Sequence, residues 1–233
     1  NSHVHFIGIG GISMSGLAEI MLENGFLVSG SDREGSTITE KLQKNGATIY
    51  IGHNKDNISG ADLVVHTAAV HEDNPEMAEA LKSGVRRIDR AEFLGAVMKE
   101  YKYSIGVAGT HGKTTTSTLI AWLNQSVGAG GNAFLGGISK NFESNLVLGE
   151  GDRLAVEADE FDRSFLRLKP DVAVITSVAA DHLDIYGTYE AVVEAFGQFA
   201  ALIKQGGALV LKQGVDIPLP EGIDIWRYSY DLA

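Results

Sequence analysis

The stretch SIGVAGTHGKTTTST, Ser104 to Thr118, decides how this chain is read. A short apolar run (Ile105, Val107, Ala108) leads into Gly109-Thr110-His111-Gly112-Lys113-Thr114, and a helix-compatible segment follows from Thr115 to Val127. Strand, glycine loop and helix in that order form a phosphate cradle. The glycines let backbone N–H groups approach an anion, and the helix N-terminus adds positive potential. Lys113 supplies a mobile charge for the outer phosphates, and the Thr114 hydroxyl is placed to bind Mg²⁺. Val107 stands where the general phosphate-loop pattern has its first glycine, flanked by Gly106 and Gly109. The competing reading is a tight turn before an ordinary helix with a surface lysine. The apolar run before the loop favours the phosphate reading.

Outward from this stretch, the chain of 233 residues allows one large domain or two small ones. It is 44% hydrophobic and 21% charged, the balance of a soluble globular chain with an ample core. The net charge of −11 includes no strong basic run, so nucleic acid is not an expected partner, nor is a membrane. No segment has the ~18 apolar residues of a membrane span. No signal-peptide pattern is read at the start, and there is no cysteine to form disulfides or ligate metal. The expected compartment is the cytoplasm.

The first half opens on the apolar run Val4 to Ile9, which ends in Gly8-Ile9-Gly10-Gly11. Met14 to Glu23 reads as a helix with Leu17, Ile20 and Met21 on one face. Phe26 to Ser29 is the next strand, followed by Gly30-Ser31-Asp32. A β-α-β unit with a glycine-rich first turn and an acid after its second strand invites a dinucleotide reading. The dinucleotide fingerprint needs glycine at 13, where Ser13 stands. A nucleotide or nucleotide-sugar therefore fits better than NAD, with simple helix–strand packing as the bland alternative. Further strands are read at Thr48–Ile51, Leu63–Val65 (ending at His66-Thr67) and Arg86–Asp89, with helices at Thr37–Lys44, Pro75–Leu81 and Ala91–Lys99. Alternating strands and helices predict a parallel sheet covered on both faces. A polar boundary falls near Glu100–Tyr103, giving domains 1–101 and 102–233.

In the second half, Asn132 to Gly136 leads to a loop at Gly137–Asn141. Leu154–Val156 is a buried strand ending in Glu157-Ala158-Asp159-Glu160-Phe161-Asp162. Val172–Thr176 is another, ending in Ser177 and then Asp181-His182. Ligands sit at the carboxyl ends of parallel strands, and three strands here carry polar chemistry at that end. Glu157 is a second candidate Mg²⁺ ligand beside Thr114, against the reading of a solvated acidic loop. His182 taken alone is an ordinary surface histidine, and His111 within the loop could meet phosphate or substrate. Phe161 and Tyr186 read as packing residues. Thr188–Ile203 is a helix and Gly207–Leu211 a strand, and Ile223–Tyr230 begins an element the sequence does not finish.

Four stretches in order, HFIGIGGISMSG (His5–Gly16), GTHGKTTT (Gly109–Thr116), EADEFDRSF (Glu157–Phe165) and DHLDIYGT (Asp181–Thr188), resemble the Mur ligases of peptidoglycan synthesis. The resemblance covers nearly the whole chain and leans toward the branch that joins L-alanine to UDP-N-acetylmuramate. It implies an N-terminal Rossmann-like domain for the UDP substrate, a central phosphate-loop α/β domain for ATP, and a third domain for the amino acid, which is expected beyond Ala233. It implies that Gly10, Gly11, Ile12 and Ser13 line the UDP pyrophosphate, with Asp32 and Thr67 toward the uridine or sugar. Gly109, Thr110, His111, Gly112, Lys113, Thr114 and Thr115 would form the ATP loop, with Lys113 at the β/γ-phosphates. Thr114 and Glu157 would share one Mg²⁺, and His182 would ligate a second. Lys113, Glu157 and His182 are thus the expected catalytic residues.

The reaction so implied is ATP-driven amide formation through an acyl phosphate, and this chain alone is expected to bind UDP-substrate and ATP but to turn over poorly. Three rivals remain. One is the sister ligase that adds a recycled tripeptide, another an NAD-dependent oxidoreductase built on Gly8–Asp32. The third is a nucleotide-binding module without a reaction.

Overall fold

The computed structural model describes residues 2–230, apart from the side chain of Asp162. Its contacts divide the chain into two compact units, one ending at Phe93 and one beginning at Leu94. Both are α/β, as the alternation of apolar strands and helices dictates.

The first unit is a five-stranded sheet of β1 (His3–Ile7), β2 (Leu27–Asp32), β3 (Thr48–Ile51), β4 (Leu63–His66) and β5 (Arg86–Asp89). Its strand order is β3-β2-β1-β4-β5, and every pairing is parallel. The order reverses between β1 and β4, which opens a crevice at their carboxyl ends. Helices α1 (Ile12–Glu23), α2 (Thr37–Lys44) and α3 (Pro75–Ser83) cross between strands, and α4 (Arg90–Lys99) leads on from β5. Ile7, Val64, Ile58, Met77 and Ala80 form one apolar cluster. Phe6, fully buried, meets Phe93 edge to face at 5.6 Å.

The second unit is a seven-stranded sheet of β6 (Tyr103–Ala108), β7 (Asn132–Ser139), β8 (Ser144–Val147), β9 (Arg153–Glu157), β10 (Val172–Ile175), β11 (Ala208–Lys212) and β12 (Asp224–Tyr228). Its order is β12-β11-β10-β6-β9-β7-β8, parallel except where β8 turns back along β7. The phosphate-loop strand β6 lies near the middle, between β10 and β9. Helix α5 (Lys113–Ser126) follows it, and α6 (Leu183–Tyr186) and α7 (Tyr189–Ala200) follow β10. Phe165 stacks on Phe199 at 5.0 Å and meets Phe196 edge to face, anchoring α7 to the short 3-10 turn Phe161–Arg167.

Three sequence expectations shift. The second strand runs on through Gly30-Ser31-Asp32 rather than stopping at Ser29. Gly30 pairs with Phe6 inside the sheet, and Ile9 packs where its Cβ would be, so this glycine serves close packing rather than a turn. The strand from Asn132 continues to Ser139, through the residues read as a loop, because β8 pairs with it around an irregular register. The segment at Ile223–Tyr230 resolves into β12, which adds to the sheet edge.

Candidate functional site

In the second unit, the chain turns from β6 into α5 through Gly109–Gly112. Gly109 (φ +140°) and Gly112 (φ +85°) hold backbone conformations that side chains disfavour. Gly112 caps α5 without a side-chain hydrogen bond, and the first turn carries no acid. Contrast α2, α3 and α7, each capped by a side chain: Ser36, Asn74 and Thr188. An uncapped, acid-free helix start leaves amide donors and positive potential for an anion.

The loop is clipped from the neighbouring strand. Past the end of β10, the Ser177 carbonyl accepts from the Thr110 amide at 3.1 Å, and Ser177 Oγ accepts from the His111 amide at 2.9 Å. The Thr176 hydroxyl donates to the carbonyls of Ala108 and His111. Neither residue had a role in the sequence reading. The signal was there in principle, since Ile175 pairs with Ala108 and the next residues must flank the loop after β6.

Lys113 points across the loop. Its Nζ donates to the Gly109 carbonyl at 2.9 Å and to Glu160 Oε2 at 2.7 Å. Glu160 is sealed, with its side chain 1% exposed. The Tyr186 hydroxyl donates to the Glu160 carbonyl at 2.6 Å, and His182 Nε2 lies 3.9 Å from Glu160 Oε1. Tyr186 is buried packing, as expected. Phe161 is instead half exposed, its ring edge-on to His182 at 5.5 Å. Glu160 is thus the acid of its cluster that meets the lysine, a role the spacing did not reveal.

Glu157, at the end of β9, faces the other side of the loop. Thr114 Oγ1 donates to Glu157 Oε1 at 3.1 Å, and the Gly136 amide donates to Oε2 at 2.7 Å. A Cβ on Gly136 would collide with this carboxylate, so the glycine of β7 lets it approach. A hydroxyl and a carboxylate on one side of a phosphate loop are a hard-oxygen donor pair suited to Mg²⁺. Among the described residues no group of three or more His, Asp or Glu side chains could hold a metal ion. Phosphate and water oxygens would complete the shell of an ion held there. Thr115 is exposed on the first turn of α5, and a cleft of about 500 Å³ opens beside it, lined by Thr114, Thr118, Leu119, Trp122 and Lys140 among others.

The first unit has its own glycine turn, between β1 and α1. Gly8 takes φ +82°, and Gly11 starts α1 without a side-chain cap or a first-turn acid. Gly11 and Ile12 are exposed and Ser13 half-buried at this helix start. Asp32 is turned onto the turn itself: Oδ2 accepts from the Gly10 amide at 2.8 Å, and Oδ1 accepts from the Arg33 amide at 2.8 Å. A Cβ on Gly10 would lie 2.8 Å from that carboxylate. Thr67, just past β4, flanks Gly8 at the reversal of strand order.

The fold and the two glycine turns define a class: an α/β protein pairing a Rossmann-like unit with a phosphate-loop unit. The comparisons narrow it. Residues 3–102 match the Mur ligase family, catalytic domain, and residues 107–218 match the Mur ligase middle domain. The chain belongs to the Mur ligase family. It is 49% identical over 210 residues to the UDP-N-acetylmuramate–L-alanine ligase of Clostridium botulinum strain Langeland, which covers 90% of this chain and 46% of that protein. The chain thus spans less than half the length of that relative. The solved structure of UDP-N-acetylmuramate-alanine ligase from Thermotoga maritima is 32% identical, with a TM-score of 0.80, over 92% of this chain and 50% of that one. That of UDP-N-acetylmuramate:L-alanyl-gamma-D-glutamyl-meso-diaminopimelate ligase from Neisseria meningitides is 27% identical, with a TM-score of 0.84, over 96% and 77%. Among the described residues no helix is long and apolar enough to cross a membrane.

Proposed function

We propose that this chain is the substrate- and nucleotide-binding part of a ligase that joins L-alanine to the lactyl carboxylate of UDP-N-acetylmuramate at the expense of ATP. The observation that carries this reading is the 49% identity to an enzyme of that name across 90% of the chain. The uncapped glycine turns of both units support it.

In this reading the UDP pyrophosphate rests on the start of α1, at Gly10, Gly11, Ile12 and Ser13, with Asp32 and Thr67 at its border. ATP lies along Gly109–Thr115, and Lys113 exchanges Glu160 for the outer phosphates. Mg²⁺ at Thr114 and Glu157, and a second ion at His182, would offset phosphate charge. The carboxylate of the sugar attacks the γ-phosphate and displaces ADP, giving an acyl phosphate. The amine of L-alanine attacks the acyl carbon, and phosphate leaves. Two anions must meet in the first step, so the work of Lys113 and the α5 N-terminus is to hold them together against repulsion. The domains are assigned as 1–101 for the UDP substrate and 102–233 for ATP, in a cytoplasmic protein.

A second reading is the ligase that adds a preformed tripeptide, favoured by the likeness to the Neisseria structure. The test is phosphate release from ATP with UDP-N-acetylmuramate, in a polypeptide carrying this chain at the full length of its relatives. L-alanine is added in one arm and L-alanyl-γ-D-glutamyl-diaminopimelate in the other. Release with alanine alone is expected. Release with the tripeptide alone moves the assignment, and release with neither overturns both.

A further inference from the structure

A sealed polar chain runs through the first unit, beside its apolar cluster, and no part of the proposed reaction uses it. Glu76, in the first turn of α3, has a side chain with no exposure. Its Oε2 accepts from Ser31 Oγ at 2.6 Å, and its Oε1 accepts from Asn57 Nδ2 at 2.6 Å and from the Asn54 amide at 3.3 Å. His5 Nε2 and His53 Nδ1 each stand 3.5 Å from Oε2. Ser29 Oγ meets His5 Nδ1 at 2.8 Å and His3 Nε2 at 2.7 Å, extending the chain outward. Tyr50 of β3 faces the His5 ring at 6.3 Å.

Burying a carboxylate is costly unless donors converge on it. Here they come from β2 and the loop after β3, with the His5 ring of β1 alongside at 3.5 Å. Burial alone would raise the Glu76 pKa; the His5 imidazole 3.5 Å away and hydrogen bonds from Ser31 and Asn57 outweigh it and bring the value to about 2. A glutamine at this position keeps one acceptor for Asn57 and Asn54 but replaces the acceptor for the Ser31 hydroxyl with an N–H₂ donor.

What this carboxylate holds is the end of β2. The Ser31 side chain is held by Glu76 and by His53 Nδ1 at 3.0 Å, while the Ser31 carbonyl accepts from the amides of Gly8 at 2.8 Å and Ile9 at 3.0 Å. The next residue, Asp32, takes the Gly10 amide. Three successive amides of the first glycine turn therefore hang on two residues, and Glu76 grips one of them. The turn in turn sets where α1 begins.

We propose that Glu76 is a positioning residue for anion binding at the first glycine turn, acting through Ser31. The proposal rests on the reading of that turn as the site of the UDP pyrophosphate. It separates a buried acid that merely supports the fold from one that aims α1 at its ligand.

The test uses the 233-residue chain, with UDP as the probe in titration calorimetry and amide exchange of Gly8 and Ile9 read by NMR. Glu76→Gln and Ser31→Ala are each expected to weaken UDP by about tenfold, the loss of one hydrogen bond to a charged group. The double variant is expected to lose no more than the worse single variant, whereas general loosening gives additive losses. Asn57→Ala removes a Glu76 partner but leaves the link to Ser31, so UDP affinity stays within about twofold. Ser31→Ala keeps the carboxylate and its other partners, so it decides the matter if Glu76→Gln fails to fold. Undiminished UDP affinity in Ser31→Ala, or additive losses, overturns the proposal. If the unaltered chain binds no UDP, the substrate reading falls instead. Glu76 is then judged by exchange: faster Gly8 and Ile9 exchange in Ser31→Ala but not in Asn57→Ala upholds it, and unchanged exchange sinks it.

Discussion

Lys113 and Glu160 are joined across the phosphate loop, Nζ to Oε2 at 2.7 Å, with the carboxylate sealed and the ammonium nearly so. The lysine that would meet phosphate is therefore parked on a buried acid that has few other partners. This ties the stability of the second unit to the residue proposed to meet the nucleotide. Lys113→Ala is expected to remove ATP binding and also to cost about 3 kcal/mol, because the Glu160 charge is left without its partner. Lys113→Met combined with Glu160→Gln restores much of that stability but not ATP binding. Thermal melting and ATP calorimetry on the three proteins check this; equal melting of Lys113→Ala and the unaltered chain refutes it.

Glu157 is held by a hydroxyl on one side and a backbone amide on the other. Glu157→Gln keeps the shape and removes the charge that a divalent cation needs. ATP binding with Mg²⁺ is expected to weaken by at least about tenfold, while ATP binding in a chelator is unchanged. Gly136→Ala should do the same by pushing the carboxylate aside, whereas Gly137→Ala meets nothing within 4 Å and serves as the control. A Mg²⁺ titration that is identical in all three variants removes Glu157 from the metal site.

The alternation of apolar runs and glycine turns makes both sheets legible in the sequence, and the three polar strand ends of the second unit are legible there too. Other features depend on tertiary placement. In EADEFD the spacing cannot say which acid turns inward; the 3-10 turn after Glu160 and the hydroxyl of Tyr186 decide it. Gly30 reads as a turn residue in sequence, yet it and Gly136 both lie within strands, and each is glycine because another side chain occupies its Cβ position. Asp32 stood where a dinucleotide-binding acid would stand, and its placement on the Gly10 amide is visible only once β2 extends to it. Nothing in the sequence links His5 to an acid on α3, so the polar chain around Glu76 is visible only in the fold.

The close approach of Gly10 to Asp32 gives a sharper test of the first turn. Gly10→Ala sets a methyl about 2.8 Å from Asp32 Oδ2, so the carboxylate must move off the amide it accepts from. UDP affinity is expected to fall by about tenfold or more, with ATP affinity held. Asp32→Asn, which retains an acceptor for the Gly10 amide, should lose less than Gly10→Ala. The reverse order would mean that the Asp32 charge, rather than the shape of the turn, serves the ligand.

Acid stability reports on Glu76 separately from any ligand. Unfolded, this carboxyl titrates near its ordinary 4.5; folded, it is held to about 2. As pH falls, the unfolded chain takes up the proton first, so stability drains toward the unfolded state. The contribution of Glu76 is therefore fully present above 4.5 and is lost between there and about 2. At neutral pH, Glu76→Gln is expected to lower stability by about 2 kcal/mol, the worth of a hydrogen bond to a buried charge. Below the window the gap between the two proteins should close. Asp171 titrates in the same direction: burial raises its pKa, and hydrogen bonds from Ser104 and Lys204 more than reverse that. The measurement is therefore the difference in denaturant unfolding between Glu76→Gln and the unaltered chain, taken at each pH. Acid limbs that stay parallel throughout would mean that Glu76 titrates alike in both states and that the sealed chain does not hold it.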